Sequence, residues 1–284
     1  MRCLFDRLCH GKFGYVWIGL GCRFFRIVNF WRPHFGTLDI HVTDHCNLNC
    51  KGCSLLSPLA RGWFCNVEQI REDLLELSKK IAIFRFQLIG GEPLLHPEIT
   101  KLVCVVKEAY PKSRVIIVTN GSLLPKMGDD FWEFCRNNRV SFTLSVYPPL
   151  QIHLNEYLKL AKDNDIYVRS AYHKTWYKLR FSFKIKGDVK DIHYRLCEQK
   201  ICHKLLDSKL YLCPLFSLKH YNRYFNESHP TVKGYDIYEY SGKELVKFMK
   251  RPDPACRYCT WVMKRETTQW DYSKREKSEW CEDV

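Results

Sequence analysis

Cys46-Asn47-Leu48-Asn49-Cys50-Lys51-Gly52-Cys53 sets three thiols at the spacing C-x3-C-x2-C, directly after the apolar segment Leu38 to Val42. A short loop of this kind can hold three corners of a cubane iron–sulfur cluster and leave the fourth iron without a protein ligand. An open iron on a reducible cluster is a place where a small molecule can chelate and accept an electron, so three cysteines say more here than four. The alternative is a structural zinc site, which needs a closed set of four ligands, with His45 beside Cys46 as the fourth.

Outward from this loop the pattern alternates between strand and helix. Asn66 to Ile81 carries Val67, Ile70, Leu74, Leu75, Leu77 and Ile81 at near-helical spacing, with Asn66 as capping residue and Gln69 three positions on. Phe84 to Ile89 reads as a buried strand, and Pro97 to Tyr110 as a helix with Pro97 and Glu98 in its first turn. Arg114 to Val118, Asp130 to Asn138, Val140 to Val146, His153 to Asp163 and Ile166 to Ser170 continue the series. Repeated βα units predict an α/β fold, a parallel sheet with helices outside and ligands at the C-terminal ends of the strands. Five to six repeats are visible rather than eight.

The cysteine loop resembles the signature of the radical S-adenosylmethionine enzymes, and two further stretches share the likeness. Gly90-Gly91-Glu92-Pro93 closes the apolar run Phe86 to Ile89, and Val118-Thr119-Asn120-Gly121 closes another, Val115 to Val118. The resemblance runs from about Thr37 to Arg169 and implies an open partial (β/α)6 TIM-type barrel. It implies that Cys46, Cys50 and Cys53 hold a [4Fe–4S] cluster with an open iron. Gly90, Gly91 and Glu92 would then orient the methionine end of S-adenosylmethionine, with Thr119, Asn120 and Ser145 on the rest of that cofactor. One departure stands out: where many members carry an aromatic residue before the third cysteine, this chain has Gly52.

Composition narrows the setting. The chain has 284 residues, 46% of them hydrophobic, enough for one large domain with an appendage and unlike a disordered or fibrous sequence. Fifteen cysteines without a signal-peptide pattern at the start point to a reducing cytoplasm and metal clusters rather than a disulfide scaffold. A net charge of +14 permits attraction to a phosphorylated or nucleotide-linked substrate or to an anionic membrane surface. No RNA-binding or helix-turn-helix signature accompanies it, so no nucleic-acid partner is expected.

The two ends carry separate expectations. Residues 1–36 form a basic, aromatic lead-in whose apolar stretch from Tyr15 is broken at Arg23 and Arg26, short of the roughly 20 residues needed to span a bilayer. It packs on the barrel or lies peripherally in a membrane interface. Residues 37–190 form the core. Lys178 to Lys186 alternates basic and apolar residues, strand-like with a basic face turned to solvent or substrate.

In residues 191–284, Cys202 and Cys213 flank a hairpin that turns at Asp207-Ser208, and Cys256-Arg257-Tyr258-Cys259 supplies a C-x-x-C pair. The arrangement resembles the auxiliary-cluster domains called twitch and SPASM. That likeness implies a second [4Fe–4S] cluster on Cys202, Cys213, Cys256 and Cys259, and zinc on the same four thiols is the alternative. Cys197 and Cys281 are further thiols that can replace a ligand or donate a hydrogen atom, whereas Cys104 and Cys135 read as small core residues. His96, His173 and His220 receive no role.

Together these resemblances imply an oxidoreductase or epimerase that generates a 5′-deoxyadenosyl radical and abstracts hydrogen from a small polar substrate, a sugar or aminocyclitol. Its electrons would come from an external donor such as flavodoxin or ferredoxin. A peptide-modifying maturase on the same core, and a non-catalytic metal-stabilised binding module, are the rival readings.

Overall fold

The computed structural model describes residues 21, 23–25, 27, 29, 31–173, 175–177, 190–213, 233–259 and 267–281. Most of the lead-in, the Lys178 to Lys186 alternation and His220 lie outside them. Five strands run parallel in chain order: β1 (His34–Thr43), β2 (Ala82–Gly90), β3 (Arg114–Thr119), β4 (Val140–Val146) and β5 (Val168–Tyr172). The helices between them are α1 (Val67–Lys80), α2 (Ile99–Ala109), α3 (Asp129–Asn137) and α4 (Leu154–Asp163). This is the parallel α/β sheet of a partial TIM-type barrel.

Alternation along each strand divides its residues between two surroundings. Leu38, Ile40, Phe86, Leu88, Val115, Ile117, Phe142 and Leu144 are fully or almost fully buried and join the helices' apolar stripes in one core. Their neighbours Thr37, Arg85, Gln87, Ile116, Ser141, Thr143 and Ser145 are only half-buried and form the opposite, concave face. In α1 the start expected at Asn66 is seen: its side chain accepts from the N–H groups of Glu68 and Gln69. Gln69 does not return the bond and instead donates to Asp73. Helix α2 begins at Ile99, two residues later than expected, with Glu98 as its cap. Cys104 is a correction, for it is exposed. Ile99, Leu102, Val103 and Val106 take the buried stripe of α2, and residue 104 falls on the outer side. Cys135, beside Trp132, is fully buried as expected.

The C-terminal part joins this sheet. After β6 (Thr175–Tyr177) and α5 (Lys190–Leu196) come β7 (Lys204–Leu206), β8 (Lys209–Tyr211) and β9 (Tyr235–Asp236), and the sheet order is β5-β4-β3-β2-β1-β7-β8-β9. Strand β7 lies parallel to β1, with Asp39 opposite Lys204. Helix α6 (Gly242–Met249) starts with a Ser241–Glu244 capping box and abuts the end of α1. A Cβ on Gly242 would stand 2.3 Å from the Lys80 carbonyl oxygen. β10 (Thr267–Gln269) pairs antiparallel with β6. Of the lead-in, Phe25 packs at 5.4 Å on Phe84, while Phe24, Ile27 and Trp31 are exposed. No helix among the described residues is long and apolar enough to cross a membrane.

The expected hairpin is present: Leu206 pairs with Lys209 around Asp207 and Ser208, which have φ of 49° and 58°. Two positive φ values make a turn that glycine fits better than serine. Ser208→Gly should therefore stabilise the protein by about 0.5–1 kcal/mol, read as an increased midpoint in urea unfolding.

Candidate functional site

The segments singled out in the sequence all leave the sheet at one end. The cysteine loop follows β1, Gly91 and Glu92 follow β2, Asn120 follows β3, Ser145 and Tyr147 close β4, and His173 follows β5. Ligands of parallel α/β sheets gather at these carboxyl ends.

The glycine pair is needed first by the chain itself. Gly91 N–H donates to the Thr43 carbonyl at 2.7 Å and Glu92 N–H to the His45 carbonyl at 2.7 Å. A Cβ on Gly91 would sit 2.1 Å from the His45 carbonyl oxygen, and one on Gly90 would sit 2.2 Å from that of Thr43. Only bare backbone lets the end of β2 lie this close to the residues that lead into Cys46.

Glu92 is completely buried. It accepts from Thr119 Oγ1 at 2.6 Å, Asn120 N–H at 2.8 Å and Leu94 N–H at 3.1 Å. Three donors use most of a carboxylate's four acceptor positions and leave room for one more. Burial pushes this carboxyl up to about 7, against the pull of those three bonds. Asn120 carries a polar ring: its Nδ2 donates to Asn47 Oδ1 at 2.9 Å, and its Oδ1 accepts from Ser122 Oγ at 2.6 Å. Asn47 in turn donates to Ser122 Oγ at 2.7 Å. Asn120 thus ties the cysteine loop to the end of β3, and Thr119 ties Glu92 to it. Ser145 shares a hydrogen bond with Tyr147, whose hydroxyl is pushed well up by burial and by the nearby Cys50, Cys53 and Cys46.

Cys46, Cys50 and Cys53 are free thiols, and burial raises Cys46 and Cys50 to about 12, with Cys53 adding to both and Cys46 adding to Cys50. The loop is strapped from the far end of the chain. Lys51 N–H donates to the Asp271 carbonyl at 2.9 Å, Ser273 N–H to that of Asn49 at 2.8 Å, and Asn49 Nδ2 to that of Ser273 at 2.8 Å. Trp280 Nε1 donates to the Cys53 carbonyl at 2.9 Å, and Trp270 Nε1 to Cys50 Sγ at 3.2 Å. Gly52 has φ +65°, and a Cβ there would meet the Glu279 carbonyl oxygen at 3.5 Å. A left-handed residue under this strap explains why glycine replaces an aromatic side chain.

His45 does not complete a zinc set. Its ring stacks on Phe64 at 4.4 Å, and among the described residues no three His, Cys, Asp or Glu side chains converge on a single-ion position. His96 is a buried core residue whose Nε2 lies 3.6 Å from Cys65 Sγ. His173 packs at 5.5 Å on Tyr147.

The later thiols also gather. Cys202 is pushed up to about 12 by burial, then by Asp39, Cys197 and Cys213. Cys256 is raised likewise by burial, with Cys213 and Cys197 adding to it. The short helical turn Pro254–Tyr258, capped by Asp253, places Cys256 beside α5, where its carbonyl lies 2.7 Å from His193 Nδ1. Cys259 N–H donates to the Cys256 carbonyl at 3.2 Å. Cys197 therefore stands with Cys202, Cys213 and Cys256, whereas Cys281 is buried in the strap behind the first loop.

Sequence reasoning passed over Trp270, Trp280 and Asn47, and also a buried pair, Asp39 and Lys204. Burial drives both members of the pair toward neutrality, Asp39 up to about 7 and Lys204 down to about 8. The charges of Asp39, Cys213, Asp44 and Cys53 oppose the shift of Lys204, which places its amine between the two thiol groups. A charged residue at alternate positions of an apolar strand was the one available signal.

A partial α/β barrel with polar groups and free thiols at its C-terminal mouth defines a cofactor-dependent enzyme architecture. Residues 40–171 match the model of the Radical SAM superfamily, so this part of the chain is a radical SAM domain. A GTP 3′,8-cyclase of Microcystis aeruginosa is 29% identical over 157 residues, 53% of this chain and 44% of that protein. One of Chlorobaculum tepidum is 36% identical over 113 residues, 38% of this chain and 30% of the relative. The match thus spans less than half the length of these curated relatives. Among solved structures, BtrN in complex with AdoMet and 2-DOIA superposes with a TM-score of 0.52 at 17% identity, covering 84% of this chain and 98% of that one. Native anSMEcpe with bound AdoMet gives a TM-score of 0.52 at 16% identity, covering 82% and 84%. At such identities the likeness is one of fold. A radical SAM domain implies a [4Fe–4S] cluster and S-adenosylmethionine.

The Trp270 contact makes a specific expectation. A hydrogen bond to a ligand sulfur stabilises the reduced, more negative cluster. With Cys50 as a ligand of the implied cluster, Trp270→Phe should leave the iron content unchanged and move the cluster midpoint potential in the negative direction. A differential bond of about 1 kcal/mol corresponds to roughly 40 mV for one electron, readable by EPR-monitored titration.

Proposed function

We propose that the chain is a radical S-adenosylmethionine enzyme acting on a small polar substrate, a sugar or aminocyclitol, by dehydrogenation or epimerisation. The observation that carries this reading is the loop of three free thiols fastened to the Gly91–Glu92 and Thr119–Asn120 turns by backbone and side-chain bonds. Three soft, mutually close thiols suit a cubane cluster, which is wider than one metal ion and holds its ligands correspondingly further apart. When bound, this cluster and S-adenosylmethionine supply one-electron chemistry able to remove hydrogen from an unactivated C–H bond.

Within this reading Cys46, Cys50 and Cys53 are the ligands. The last acceptor position of Glu92 takes the cofactor ammonium, Gly90 and Gly91 shape the turn beside it, and Thr119, Asn120 and Ser145 border the remainder. Tyr147, Trp270 and the strap exclude water from the loop. Cys202, Cys213, Cys256 and Cys259, with Cys197 adjoining, form a second metal site, an auxiliary [4Fe–4S] cluster in residues 191–284. A reducible group there supports oxidation of the substrate, and zinc there would favour redox-neutral epimerisation. An external one-electron donor of the flavodoxin or ferredoxin kind is required, and the setting is cytoplasmic, with the lead-in available for a membrane surface. The GTP 3′,8-cyclase relatives extend well beyond their matched regions, so their reaction is not carried over to this chain.

Iron and sulfide analysis of anaerobically reconstituted protein tests the reading. About eight irons should fall to about four in a Cys46/Cys50/Cys53→Ala protein, with loss of reductive S-adenosylmethionine cleavage. Four irons falling to none, with zinc retained, would sink the auxiliary cluster. Undiminished cleavage in the triple variant would sink the assignment of the loop.

Glu92 predicts a pH dependence. A carboxyl raised to about 7 is protonated below that pH and charged above it. A neutral acid cannot hold an ammonium group as a carboxylate does, so S-adenosylmethionine affinity should rise as pH increases from 6 to 8, approaching tenfold per unit on the acid side. Equilibrium binding across that range checks it, and Glu92→Gln should flatten the profile.

A further inference from the structure

We infer that the chain docks on an anionic lipid bilayer through one face of its lead-in, with Phe24 and Ile27 entering the interface, which rests on the peripheral-membrane reading of the lead-in above and not on the radical chemistry. Residues 21, 23–25 and 27 are helical, and two sides of that helix differ. One side holds on to the barrel. Phe25 packs at 5.4 Å on Phe84 and edge-on at 6.1 Å to His34, a Cβ on Gly21 would stand 3.4 Å from the Phe84 ring, and Arg32 donates to the Ser78 carbonyl. Phe24 and Ile27, three residues apart, share another side and are 64% and 67% exposed, with Trp31 beyond them 69% exposed. Three large apolar side chains exposed within eight residues of chain exceed the scattered single exposures of an ordinary surface.

Charge selects the occupant. Residues 1–36 contain Arg2, Arg7, Lys12, Arg23, Arg26 and Arg32 against Asp6 alone, and Arg23, four residues before Ile27, is exposed. Aromatic and aliphatic side chains settle at the boundary between headgroups and acyl chains, while neighbouring cations meet anionic headgroups. A second copy of the chain carries the same net charge of +14 and does not answer it.

Position agrees. His34 and Phe84 lie near the starts of β1 and β2 and Ser78 near the end of α1, so the helix sits at the end of the sheet opposite the cysteine loop. The last helical turns and the loops before β3, β4 and β5 share that end. They add exposed Lys112, Arg136, Arg139 and Lys162 against Glu108, Asp163 and Asp165, and the first two of those carboxylates pair with Arg71 and Lys159. A bilayer bound there leaves the mouth uncovered.

The test is sedimentation of the full chain with vesicles of phosphatidylglycerol and phosphatidylcholine in equal parts, or of phosphatidylcholine alone. Binding to the anionic vesicles is expected, falling as ionic strength rises and roughly tenfold or more weaker on the neutral ones. Phe24→Ser/Ile27→Ser should weaken it by about tenfold or more, and Arg23→Gln by about fivefold. Ile152→Ser removes an 83% exposed side chain at the other end of the sheet and should change nothing. Circular dichroism unchanged from the unaltered chain shows that each variant is folded. Absence of binding to either vesicle removes the membrane reading altogether, whereas binding unchanged in the double variant removes this face alone. Equal binding to neutral vesicles overturns the inference, as does a dimer of the unaltered chain that the double variant abolishes, which would assign the face to a second copy.

Discussion

The backbone of Thr43 to His45 lies in direct contact with the backbone of Gly90 to Glu92, and the arrangement at the mouth of the sheet depends on that contact. Two carbonyls of the β1 exit accept from two N–H groups of the β2 exit, in space that any side chain at Gly90 or Gly91 would occupy. Cys46 begins one residue later. Because Glu92 then binds the β3 exit through Thr119 and Asn120, the ends of three strands form one hydrogen-bonded unit rather than three independent loops. A site built on strand ends that are locked to each other holds its geometry without help from the ligand.

The strap from Trp270 to Cys281 closes the same unit from outside. Asn49 and Lys51 sit between the cysteines, and their backbone groups find partners on Ser273 and Asp271, so the loop is paired like an edge strand although it has no regular structure. Unpaired backbone groups beside the buried thiol of Cys50 would carry a desolvation cost, and the strap removes it. Gly52 is where the two segments press together. Here the C-terminal residues cover the loop.

Between the two thiol groups runs the line of contact from β1 to β7, and it carries Asp39 and Lys204. A lysine with no exposed surface is driven by burial toward its neutral form, and the Asp39 carboxyl opposite it counters that shift. The hairpin that bears Lys204 also holds Cys202 and Cys213 at its base. The later thiols are therefore positioned by the barrel sheet itself and not by a freely hinged appendage.

The order and kind of the five parallel strands and the four helices between them, the polar strand ends and the three-thiol loop were legible in the amino-acid sequence because each depends on neighbours within a few residues. Helical spacing after Asn66, the β-branched run Val115 to Val118, and glycines after Ile89 are local signals. Cys104 misled because it stands inside the apolar run Leu102 to Val106, although Lys101 and Glu108, three residues before and four after it, share its outward face. What the tertiary structure decided lies in pairs far apart in the chain: Trp270 on Cys50, Lys204 against Asp39, and Cys197 beside Cys213 and Cys256. Sheet register and strand order bring these residues together, and neither quantity is written in any short stretch of residues, because a strand's period shows which face a side chain takes but not which strand lies beside it.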